Sequence, residues 1–170
     1  MAPTNIVPVM ALFGWIFGRP HGRGVLLGDG NFEFPVVGTS FHQDALDRIA
    51  GVRASGGSRR YCAALLAREP DHPAVAISVG GIPVGYIVSE HALEFGDALR
   101  QSGYVDAACE ALIVGSWLRG AADWGWVGLR LNAALPFRII SVDQYSRSPT
   151  PILRARAKAS KATAAGPHAA

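Results

Sequence analysis

The chain predicts a mainly β domain with inserted helices: a small OB-like barrel, or a strongly curled antiparallel sheet, carrying one or two helices. Three observations point there. Apolar runs are short and glycine is frequent, with 20 glycines in 170 residues, which favours strands and turns over a helical bundle. Residues 74–79 and 82–88 are apolar, β-branched runs split by Gly80-Gly81. Glycine supplies the positive φ angles that a two-residue hairpin turn requires. Ser89-Glu90-His91-Ala92 follows at once and reads as a helix start, with Ser89 as the cap and Glu90 in the first turn.

Taken in order, residues 5–18 are uncharged and strongly apolar. The run is shorter than the ~20 residues that span a bilayer. It lacks the basic flank and small-residue cleavage site of a signal peptide. Met10 offers a second start. Phe13, Trp15 and Phe17 suit a membrane interface with Arg19 and Arg23 at the headgroups, so membrane contact by residues 1–18 is the lesser alternative to covering the domain. A cytoplasmic location is expected.

Residues 24–38 hold an Asp29-Gly30 turn between two β-type runs, and Pro35 places the second run at an edge or a bulge. Residues 38–51 read as a turn and a short helix with Ala45, Leu46 and Ile49 on one face and Gly51 as terminator. Residues 53–60 form a mobile Gly/Ser loop with Arg53, Arg59 and Arg60. Residues 61–68 make a strand, and residues 69–73 a proline-stiffened loop. The helix after the hairpin ends near Gly103 with Ala92, Phe95 or Gly96, and Leu99 inward. Residues 105–119 read as helix or strand, and Ile113-Val114, Trp117 and the run from Val127 favour a long strand pair; residues 132–140 complete the sheet. The chain thus divides into an apolar segment (1–23), a barrel domain (24–145) and a basic, disordered tail (146–170).

Charge is unevenly spread. Residues 1–146 carry 11 arginines and 13 acids, while the five basic residues from Arg147 onward include both lysines. An anionic partner therefore meets local arginines or the tail, not a globally basic domain. Cys62 and Cys109 sit in apolar runs and read as buried free thiols, with a disulfide between them the alternative, since spacing alone does not set proximity; no CxxC pair suggests zinc.

No catalytic constellation stands out. His42, His72 and His91 have no i, i+4 pairing, Ser40 and Ser78 lack a nucleophile elbow, and no phosphate-binding loop is present. Neither an enzyme, a metal nor a cofactor is expected. Aromatic and polar groups do cluster: Ser40-Phe41-His42-Gln43, Asp71-His72, and Tyr86 on the hairpin. Exposed rings there would stack with bases, while Phe41 and Tyr86 as core residues is the equal alternative.

Three blocks carry a resemblance: VVGTSFHQDAL at 36–46, EPDHP at 69–73, and AVAI at 74–77 with GIPVGYI at 81–87. In order and spacing they resemble the HIRAN domain, over roughly residues 33–100. The resemblance implies an OB-like barrel that binds single-stranded DNA, notably free 3′ ends, in a family linked to DNA repair and remodelling, with stand-alone bacterial copies. By position it implies DNA contacts at Ser40, Phe41, His42, Asp71, His72 and Tyr86. Arg59 and Arg60 are added as loop cations. The central loop is shorter than the family's, because Pro73 runs directly into Ala74, and Ser40 stands where helicase-linked members have a basic residue. A protein-interaction or membrane-tethered adaptor that kept the fold and lost DNA binding is the alternative expectation. A metal-dependent hydrolase built on His42, Asp71 and His72 is a distant third.

Overall fold

Ten strands and three helices form among the described residues. The strands are β1 (Arg23–Leu26), β2 (Phe34–Val37), β3 (Ser58–Arg68), β4 (Val75–Val79), β5 (Ile82–Ile87), β6 (Asp106–Gly115), β7 (Leu118–Gly120), β8 (Asp123–Trp124), β9 (Val127–Leu131) and β10 (Ile139–Ile140). The helices are α1 (Gln43–Ala50), α2 (Ser89–Ser102) and α3 (Val142–Arg147), with a 3-10 turn at Thr39–His42 before α1. These come from a computed structural model, which describes residues 22–115 and 117–147. The apolar run at 5–18 and the tail from residue 148 lie outside the described residues.

Six strands close into an antiparallel, OB-like barrel in the order β6-β3-β4-β5-β2-β9, with β9 returning to β6. β1 lies parallel on the free upper edge of β6, and β10 pairs with β1. Two-residue periodicity fixes which side chains face inward. In β3, Cys62, Ala64 and Leu66 join the main core, while Ala63 and Leu65 face outward. The β4–β5 hairpin turns on Gly80 (φ 64°) and Gly81 (φ 77°), a left-handed pair that glycine adopts without strain.

The helices plug the two ends. α1 buries Leu46 and Ala50 where β3 begins, and α2 buries Ala92, Phe95, Gly96 and Leu99 near the opposite end. Each fully buried Leu or Phe contributes about 1.5–3 kcal/mol. α3 covers a smaller outer cluster, with Tyr145 on Val25, Ala63 and Ala108. Among the described residues no helix is long and apolar enough to cross a membrane.

Several expectations are corrected. Pro35 is on neither an edge nor a bulge: β2 lies inside the barrel, giving Phe34 and Pro35 to β9 and Val36 and Val37 to β5. Pro35 thus sits where the strand changes partner, and its missing N–H has little ladder to disrupt. Ser89 is the first residue of α2 rather than its cap, the cap position falling on Val88 with no side-chain hydrogen bond. Arg59 and Arg60 belong to β3, so the Gly/Ser loop stops at Gly57. Of residues 132–140 only Ile139 and Ile140 form a strand. Ser146 and Arg147 end α3 and are helical.

Candidate functional site

The 3-10 turn starts from Gly38, whose φ of 75° lets the chain leave β2 sharply. Phe41 N–H donates to the Gly38 carbonyl at 3.1 Å. The turn is clamped at its other end by Gln43. Its Nε2 donates to the Thr39 and Val127 carbonyls, both at 2.9 Å, and its Oε1 accepts from Val127 N–H at 2.9 Å. The result is a rigid turn that holds the Phe41 ring 88% exposed. An exposed phenyl on a fixed backbone is unusual, because burying it would contribute a few kcal/mol.

Tyr86 belongs to the same neighbourhood. It pairs with Val37 on one side and Ala76 on the other. Ala67 pairs with Ala76, so Ala67, Ala76, Tyr86 and Val37 form one row across four strands. None of the four is buried. Tyr86 therefore faces outward, half-buried. A Cβ at Gly38 would lie 3.4 Å from its ring, so the glycine lets the turn rest against the tyrosine. At Gly85 a Cβ would lie 2.6 Å from the Val37 carbonyl oxygen, so only glycine lets β2 pass this close. Ser40 is exposed and His42 half-buried on the same turn. Core placement of Phe41 and Tyr86 is thus overturned, and the structure brings together Ser40, Phe41, His42 and Tyr86.

The other expected contacts sit apart. Asp71 and His72 are exposed in the β3–β4 loop, at the α2 end. Arg59 and Arg60 lie near the start of β3, nine and eight residues from Arg68, and at about 3.4 Å per residue that is ~30 Å of strand. Arg60 is also engaged structurally. Its Nη1 donates to the Ile49 carbonyl at 3.1 Å, at the C-terminus of α1, where the helix dipole favours a cation. Arg59 points to the other face of the strand and is exposed.

Both ends of the barrel carry mixed charge: Arg48, Arg53, Arg59, Arg60 and Arg119 lie toward the α1 end with Asp44 and Asp47, and Glu69, Asp71, Glu90, Glu94 and Asp97 lie toward the α2 end with Arg68 and Arg100. Arg53 is bound to Asp47 and to the Gly125 carbonyl, each at 2.7 Å. His91 packs its ring against Phe34 and Phe137 and lies near Glu90 and Glu94. Among the described residues no three His, Cys, Asp or Glu side chains converge as metal ligands.

Sequence reading missed the roles of Gln43 and Gly38. Gln43 stood in the clustered block, but its partner Val127 lies 84 residues away, and no local pattern joins the two. No family model, curated protein or solved structure matches this chain.

Proposed function

We propose that this chain is a HIRAN-like module that holds single-stranded DNA, with Phe41 and Tyr86 stacking on bases and Ser40 and His42 as neighbouring polar contacts. One observation carries the reading: a phenyl ring kept in solvent by a turn that is clamped at both ends. Base stacking on such a ring is worth about 1–3 kcal/mol per base and tolerates any sequence. Asp71 and His72 are in the β3–β4 loop at the α2 end, so contact with them requires the strand to run along the outer row past Ala76. The test is a titration with short single strands carrying free or blocked 3′ ends, at low and moderate salt. Salt-sensitive binding that Phe41→Ala weakens supports the reading. An absence of binding at low salt overturns it.

Protein docking is the second reading, favoured by two exposed apolar side chains four residues apart, Val37 and Phe41. It predicts capture of a protein partner that persists in high salt and needs Phe41.

A further inference from the structure

The outer face of β3, β6 and β9 carries a second surface. The strand registers place Arg59, Val114 and Gly128 in one row, and Tyr61, Leu112 and Arg130 in the next. Arg59 and Arg130 are exposed and make no hydrogen bond or ion pair among the described residues. Tyr61 is 40% exposed and packs edge-on against Phe32, which covers Leu112. The floor between the arginines is apolar, made of Val114 and Leu112 with Phe32 packed on them, and Gly128 adds no side chain beside Val114. At strand spacings of about 4.8 Å and ~3.4 Å per residue, Arg59 and Arg130 lie ~12 Å apart across this floor. No acid lies in either row. Val37 and Tyr86 lie on strands that continue the same outer surface beyond β9.

We infer that this face holds the sugar–phosphate backbone of the same DNA strand, with Arg59 and Arg130 as its phosphate contacts and Tyr61 as a flanking donor. The inference rests on the reading of the Phe41 turn as a DNA contact. The occupant is a polyanion because these two rows offer two exposed cations and no carboxylate, the nearest outward carboxyl on β6, Glu110, being buried beneath α3. A flexible single strand follows a curved barrel surface where a stiff duplex does not.

The decisive probe is a uniform abasic oligodeoxynucleotide, which has phosphates and no bases to stack. Wild-type protein should bind it in a salt-dependent way. Arg59→Ala/Arg130→Ala should lower the slope of log K against log salt by about 1.4, at ~0.7 for each single-strand phosphate no longer neutralised. Arg100→Ala, on the exposed side of α2, is the control and should leave the slope unchanged. The double variant should retain the wild-type unfolding midpoint, since both side chains are exposed. A wild-type slope in the double variant, or no binding of the abasic strand by wild type, overturns the inference. If the arginines govern abasic binding but a base-bearing strand binds no more tightly, the stacking reading falls and the arginine face stands.

Discussion

The side-chain amide of Gln43 pairs with both backbone groups of Val127, donating from Nε2 to its carbonyl and accepting at Oε1 from its N–H, each at 2.9 Å. β2 has already ended at Val37, so the amide takes the place of the missing strand along the edge of β9. Removing it exposes one donor and one acceptor and frees the turn before α1. Gln43→Ala should therefore cost about 1–3 kcal/mol in urea unfolding. Gln43→Glu should cost at least as much, because it sets a carboxylate oxygen against the Thr39 and Val127 carbonyls. Equal stability of all three proteins would show that the clamp is dispensable.

Phe41 separates stability from binding. Its ring is in solvent, so Phe41→Ala should shift unfolding by less than about 0.5 kcal/mol. The same change should weaken a single strand by roughly 5- to 150-fold, the equivalent of removing one base–ring stack of ~1–3 kcal/mol. Tyr86 is half-buried against Gly38, so Tyr86→Ala should lower both binding and stability. Parallel thermal melts and fluorescence titrations of the two variants distinguish these patterns. A Phe41→Ala protein that melts much earlier than wild type would mean that the ring supports the turn.

Much of the barrel was legible because its signals are local. Gly80-Gly81 marks its own turn, the alternation in residues 74–79 marks its own faces, and the inward set Ala92, Phe95, Gly96 and Leu99 follows from helical spacing alone. Pro35 misled because its local meaning depends on how many ladder bonds the strand makes, and that is settled by β5 and β9 together. Arg60 misled for a similar reason. Its charge is legible, but its use at the end of α1 depends on the packing of that helix against β3. The Phe41 block was visible as an aromatic and polar cluster. That its ring stays out while Leu46 goes in required the Gln43 clamp.

Cys62 and Cys109 should be inert while the protein is folded. Both are buried free thiols on the inward faces of neighbouring strands. Burial raises the Cys62 thiol to about 12, partly opposed by Arg60, and burial likewise raises Cys109. The thiolate is the nucleophile, so at pH 8 almost none is available. Alkylation by iodoacetamide should then proceed only through unfolding, with both cysteines modified at one common rate that urea accelerates. Fast labelling of either residue in the native protein would show that the barrel opens locally.

Glu110 should give the folded protein an acid-side stability bias. It is 2% exposed on the outer face of β6, beneath α3. Its carboxyl accepts from Asn132 Nδ2 at 2.5 Å and from the Tyr145 hydroxyl, while Asn132 Oδ1 accepts from Gly30 N–H at 2.8 Å. Burial raises its pKa above the ordinary 4.5, and the two hydrogen bonds only partly oppose this. Tyr145 is raised as well, by burial and by the neighbouring carboxyl, and so stays protonated. With the Glu110 pKa higher folded than unfolded, the native state holds more protons above pH 4.5. The associated stability is complete below that pH and is lost as pH rises through the folded pKa. Glu110→Gln cannot titrate, so its urea midpoint should fall less than that of wild type as pH rises above 4.5. Glu110→Ala should instead be destabilised at every pH by about 1–3 kcal/mol for each donor left unsatisfied. Identical pH profiles for wild type and Glu110→Gln would show that the carboxyl titrates normally, through an opening beneath α3.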